Sequence, residues 1–422
     1  MNKETASFAM GFQAAKGTGA ATLIRGIVDD HKIAPSYSTI RREAEHRGKH
    51  QRPSANQSSG MRGAVIVPWS VKFGLRPRMI GHVLLSNGYQ IDAEQTTVTL
   101  TLSATGGTFT LTVKAQTTAA IAFDATALAV EAALELLTTV TVATVTGSDG
   151  GPYLIVIDTG VDSTTMTADG ALLTGGDGTA IFTAWINQHN LSEANAGSTG
   201  YVTLMEYLGE GAARYGQRAV DGKSNSLSFK ATAEELTVDV GGFAITPGDP
   251  SGSEVEIDEV DVLFHPGTGL FTVVSSDLTA LGVPLTHDWK QDNPIDDKVQ
   301  QLHSLYRARL PEGGRKRNGT LGGLVFAEDP FREIMYAGGT EPSVVMPEAS
   351  LSWSWTSPGA FAGSQKYSFA WTYPICEFEI QPVDLSGTGE VVYSADYVVS
   401  DTETTSPSSV VLINDVASYA GT

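Results

Sequence analysis

Short runs of alternating apolar and polar residues, broken by Gly, Asp, Asn and Pro, recur along most of this chain. A period of two puts every second side chain on one face of a strand, so the pattern predicts a mainly β fold built from half-buried sheets. Val98–Leu102 and Thr108–Val113 alternate apolar residues with Thr around Gly106-Gly107 and predict a hairpin. Leu351–Trp355 and Tyr367–Tyr373 predict a second one, with Trp353 and Trp355 sharing a face, as do Tyr367, Phe369, Trp371 and Tyr373. A sandwich core is the expected place for these rings, and a subunit interface is the alternative. The period changes only once for certain. Over Ala125–Leu137 the residues Val130, Ala133, Leu134 and Leu137 fall on one helical face, with Asp124 as the expected N-cap. Two strands follow, near Val140–Val145 and Tyr153–Asp158, joined by the turn Ser148–Pro152. Residues 91–181 therefore read as a compact ββαββ module inserted into a larger unit.

The flanking sequence repeats one layout. From about Lys32 to Gly88 come a strand, a basic loop (Arg41, Arg42, Arg47, Lys49, Arg52), the apolar strand Ala64–Trp69 and a short amphipathic piece. From about Lys298 to Gly339 come a strand, a basic loop (Arg307, Arg309, Arg315, Lys316, Arg317), the apolar strand Leu321–Phe326 and a similar piece ending in glycine. A repeat of more than a hundred residues exceeds any solenoid period and predicts a duplicated domain. The expected division is a first domain over 1–90 and 182–250, the insert over 91–181, and a second domain over 251–400. The turn-rich Thr246–Gly252 marks the boundary between the two domains. Residues 1 to about 30 are small and Gly-rich and are expected to form an arm. The segment 401–422, with the apolar piece Val410–Ile413, is expected to be another, free to add a strand to a neighbour.

Charge narrows the functions. The formal net charge is −20 over 422 residues, which opposes tight binding of polyanions but not contact without retention. No apolar run approaches the length of a bilayer span, and Met1–Met10 has no signal-peptide core, so synthesis and folding in a cytoplasm are expected. Cys376 is the single cysteine and reads as a small core residue on a strand. Gly11–Thr18 has Lys and Gly in the wrong order for a phosphate loop. His46 and His50 are spaced i, i+4 but lie among Arg47, Lys49 and Arg52, which repel a metal cation. No nucleophile elbow is present, so neither an enzyme nor a cofactor is expected. Glu254, Glu256 and Asp258 alternate with Val255 and Ile257. The three carboxylates are expected to share a face as a solvated edge, a calcium site or a carboxylate-lined inner wall, with the two apolar residues turned to a core. Positive charge gathered at the same place in both copies points to interfaces between copies of an acidic protein.

These phrases together resemble a known family. They are Gly11–Thr22, Lys32–Arg41, Gly63–Val67, Phe73–Leu85 and Gly222–Lys230. They are similar to the major tail tube proteins of long, flexible-tailed bacteriophages. The stretches Gly107–Val113, Gln116–Phe123, Ala127–Leu134 and Gly151–Val156 resemble a small module of phage structural proteins. The resemblance implies two tandem tail-tube-type β-sandwich or barrel domains plus a decoration module. It implies stacked rings, trimeric with pseudo-sixfold symmetry or hexameric, joined to other tail proteins in a virion. Double-stranded DNA would pass through the bore without specific binding. The other function kept open is a receptor- or carbohydrate-binding surface or baseplate protein that uses the aromatic hairpin as its face.

Overall fold

The computed structural model describes residues 6–40, 61–194, 200–208, 215–248, 255–274, 284–296, 309–324, 336, 340–341, 348–380, 393–401 and 406–419. The chain opens with β1 (Ala6–Phe12), β2 (Thr22–Gly26), β3 (Asp30–Ile33), β4 (Ser36–Ile40), β5 (Met61–Gly74), helix α1 (Met79–Ser86) and β6 (Tyr89–Ser103). It continues through β7 (Gly106–Val113), β8 (Gln116–Thr117), β9 (Ile121–Ala122), helix α2 (Ala127–Glu135), β10 (Ala143–Gly147), β11 (Tyr153–Ile157), β12 (Met166–Asp169) and β13 (Leu173–Thr174). Next are β14 (Thr179–Glu193), β15 (Val202–Leu208), β16 (Tyr215–Ala231), β17 (Leu236–Ala244), β18 (Thr246–Gly248), β19 (Val255–Asp258) and β20 (Leu270–Val274). The last are β21 (Thr286–Asp292), β22 (Lys316–Leu324), β23 (Glu348–Ala362), β24 (Gln365–Ile380), β25 (Tyr393–Val399) and β26 (Ser409–Asn414). The fold is mainly β, as the alternation predicts.

One antiparallel ladder organises the chain, in the order β3–β5–β17–β16–β21–β22–β25–β24–β23–β20. The step from β16 to β21, Ser226↔Asp292 through Ala231↔His287, carries the sheet across the turn-rich segment at 246–252. A side sheet β15–β1–β2–β19 leaves the first half of β16, and its last pair is parallel. One hydrophobic cluster takes side chains from both halves, from Phe8 to Tyr419. At its centre Trp371 packs on Trp289 (ring centroids 4.4 Å apart) and Trp353 (5.8 Å), with Tyr89 edge-on. The aromatic hairpin β23–β24 is therefore core, and Cys376 lies fully buried beside it. Burial pushes the Cys376 thiol up to about 12, so it stays protonated.

Residues 98–173 surround a second cluster, with β6, β10 and β11 on one side and β7 and α2 on the other. Here the expected hairpin is corrected. β6 pairs with β11 and β14, whereas β7 pairs with β8, β9, β12 and β13 in another sheet. Gly107 does not turn a hairpin: at φ +90 it lets Leu172 and Leu173 pass against its backbone. The helix starts later than its spacing implied, with Thr126 rather than Asp124 as N-cap, its Oγ1 accepting from Ala129 N at 3.2 Å.

Three further expectations change. β1 is no arm: it is paired on both edges, and Phe8, Ala9 and Met10 are fully buried. Nor is 401–422 a free arm. β26 lies between β14 and β24, with Val410 and Leu412 buried. The piece after β5 is not amphipathic: every residue of α1 is buried, as expected of a helix enclosed on all sides. Its N-terminus is met by the Glu259 carboxylate, which accepts from Met79 N (2.6 Å) and Arg78 N (3.2 Å). Burial pushes that carboxyl up to about 7 although the backbone donors draw it down.

Candidate functional site

Because the long ladder buries one face, its other face must meet something else. The paired residues across it fall into rows. One row runs Asp30, Lys72, Asp239, Ser228, Lys290, Asn318, Val398, Glu377, Glu348. The next runs Thr237, Lys230, Asp288, Thr320, Asp396, Glu379, and a third includes Lys32, Ser70, Ser226, Asp292 and Lys316. The positions between the charges are mostly short hydroxyl or amide side chains, so the face is smooth and hydrated. Five lysines (Lys32, Lys72, Lys230, Lys290, Lys316) stand against eight carboxylates (Asp30, Asp239, Asp288, Asp292, Glu348, Glu377, Glu379, Asp396), three negative charges in excess. The lysines are interleaved with acids near β5–β22; Lys290 Nζ, for example, is 3.0 Å from Asp292 Oδ2. In these rows the charged positions on β23–β25 are acidic alone.

Beneath this face, where the two halves meet, lies a buried charge cluster. Glu193, at the end of β14, is 1% exposed and sits between two guanidinium groups. Arg315 Nη1 donates to its Oε1 at 2.9 Å, Arg317 Nε donates to its Oε2 at 2.6 Å, and Arg317 Nη2 donates to Oε1 as well. Arg315 also reaches Glu312 (3.3 Å), which pairs with Lys223 of β16. A neutral shell completes the joint. Asn293 Nδ2 donates to Asn87 O at 2.8 Å, and Gln291 Nε2 donates to the same carbonyl at 3.1 Å. Arg315 lies flat against Gly88, which has φ +102, so a Cβ there would run into the guanidinium. Gly88→Ala is expected to lose about 1–3 kcal/mol to backbone strain, with the displaced arginine adding to it. A melting curve compared with Gly150→Ala checks this, because a Cβ added at Gly150 meets no atom closer than 3.5 Å despite φ +77.

The basic positions read from sequence separate accordingly. Arg41, Arg42, Arg47, Lys49, Arg52 and Arg307 lie outside the described residues, and Arg309 is exposed. Arg315, Lys316 and Arg317 are not a free loop. Lys316 and Arg317 open β22, whose period of two turns Lys316 to the polar face and buries Arg317 in the joint. The apolar positions of the acidic strand are also corrected. Val255 (61%) and Ile257 (42%) face outward on β19, while Glu256 and Asp258 both pair with Arg25 of β2. The parallel partner supplies that cation, which periodicity alone does not show. Glu254 lies outside the described residues. The face carboxylates Asp239, Asp288, Asp292, Asp396, Glu377 and Glu379 were missed. Their signal was present as single acids at alternate positions of separate strands, meaningful only once the strands are in register.

Among the described residues no group of His, Cys, Asp and Glu is placed to hold a metal, and no helix is long and apolar enough to cross a membrane. No protein-family model matches the chain, and no curated protein matches it.

Proposed function

We propose that this chain is the protomer of a bacteriophage tail tube, assembling into stacked rings whose bore conducts double-stranded DNA. One observation carries the reading: a single continuous sheet spans both halves and packs one face on a shared core. Its other face is broad, smooth, hydroxyl-rich and three charges negative. Such a wall repels phosphates on balance while its interleaved lysines are neutralised locally, which suits a conduit that must not hold its cargo. The sheet also ends in two different edges. β3 and β20 each lack a second neighbour among the described residues, and unlike edges that join head to tail close a ring. Three chains of two halves each would give pseudo-sixfold symmetry, with residues 91–181 outside. The virion is then its location, after synthesis in the host cytoplasm. The receptor-binding alternative loses its surface, since Trp353, Trp355, Tyr367, Phe369, Trp371 and Tyr373 are all buried.

Negative-stain electron microscopy of the purified chain is the test. Hollow filaments or rings are expected; a strictly monomeric protein at high concentration would refute the reading. Arg41→Glu, Arg42→Glu and Arg47→Glu together are expected to leave the protomer folded, by circular dichroism, but to shorten or abolish the filaments. Filaments of unchanged length and yield would remove these arginines from ring stacking.

A further inference from the structure

Residues 409–419 run between β14 and β24 and past α1, and their hold on the first half converges on one ring. His189 of β14 is fully buried. Its Nδ1 lies 3.1 Å from Glu94 Oε1, and its Nε2 lies 3.0 Å from the Val416 carbonyl and 3.2 Å from Asn414 Oδ1. All three partner atoms are acceptors. Asn414 is fixed in that orientation, because its Nδ2 donates to Pro77 O (2.7 Å) while its Oδ1 accepts from Val416 N (3.0 Å). A neutral imidazole carries one N–H, so it can serve only one side. The geometry therefore requires either two ring protons or one ring proton and a proton on Glu94 aimed at Nδ1. In both cases the pair holds one proton beyond Nε2–H, inside the joint.

We propose that residues 409–419 form a proton-gated strap: the proton shared by Glu94 and His189 keeps it seated, and loss of that proton at alkaline pH unseats residues 415–419. Without it, either the Glu94 carboxylate faces a bare Nδ1 lone pair or Nε2 faces the Val416 carbonyl with no hydrogen between them. Either arrangement is costly in a buried site. The groups facing the pair are accounted for. His82 of α1 is pushed down to about 3 by burial and by the charge of His189, so it is neutral and does not compete for the proton. The Tyr419 hydroxyl, pushed well up by burial, stays protonated and is held among Asn414, Pro77 and Arg78. Burial pushes Glu94 up, but bonds from His189, Ser418 and the Tyr419 backbone more than reverse this and leave it below the usual carboxylate range. On the far side Arg78 pairs with Asp415. Residues 415–419 also wall a cleft of about 520 Å³, with Phe12, Ile24, Lys114 and Asp162 opposite, and unseating them opens it. This inference does not rest on the tube reading.

Hydrogen exchange of the full chain, corrected for intrinsic rates, tests the strap. Between about pH 6 and pH 9, peptides covering 415–419 are expected to lose about ten-fold or more of their protection while β26 and β24 keep theirs. Glu94→Gln supplies a neutral donor to Nδ1, so a neutral ring suffices; its nitrogen cannot accept from Tyr419 N, so protection should start lower but should not fall further at the higher pH. His189→Gln can donate to one side only and should show weak protection at both pH values. Flat protection in the natural sequence, or the same alkaline loss in Glu94→Gln, overturns the proposal.

Discussion

Replacing Glu193 with alanine is expected to destabilise the protein by about 3–5 kcal/mol, because it leaves two buried guanidinium groups without their shared carboxylate. The side chains of Arg315 and Arg317 are 3% and 9% exposed, so water cannot easily take the place of the lost oxygens. Arg317 shows the coupling: burial disfavours its charge, yet the Glu193 carboxylate raises its pKa above the ordinary value. Glu193→Gln should lose less, since one amide oxygen still accepts. The denaturant midpoint at constant m-value measures both variants. A loss below about 1 kcal/mol for the alanine variant would place this cluster with surface ion pairs, which contribute little.

Under the tube reading, changing Asp239, Asp288 and Asp292 to lysine is expected to make the face retain DNA. Each swap moves the face by two charges, so its balance goes from three negative to three positive. The side chains are exposed or half-buried on the outward face, so the fold should hold, at a cost of about 0.2–1 kcal/mol for each new lysine, which faces Lys72, Lys230 or Lys316 across the ladder. Assembled filaments should then retain double-stranded DNA about a hundred-fold more tightly at low salt, with a log–log salt slope of about −0.9 for each phosphate engaged. Filter binding across a salt series reads this directly. Filaments that form normally and still ignore DNA at low salt would show that the face is not the bore.

Much of the architecture was legible because local alternation survives assembly. The aromatic positions of β23 and β24 face the core their period implies, and the helix at 127–135 buries Val130 and Leu134 as its spacing requires. What failed were the long-range choices. The run Val98–Leu102 had an attractive neighbour in Thr108–Val113, but its partners are β11 and β14, some 55 and 80 residues away, and no short-range signal encodes that preference. Val410–Ile413 looked like a spare strand because both its partners lie far back in the chain. The basic triplet Arg315–Arg317 looked like surface because its counter-charge, Glu193, lies more than a hundred residues upstream. Site residues were obscured for the same reason: a sheet face is a property of register, and register is not local.

The interior position of β26 sets the order of events during synthesis. β14 and β24 keep one edge open each until residue 414 has left the ribosome, and the central ring stack stays uncovered until then. Such exposed edges invite pairing between nascent chains, so productive maturation should be sensitive to chaperone supply. Under the tube reading, closing this sheet late sets a delay between translation of β24 and growth of the polymer.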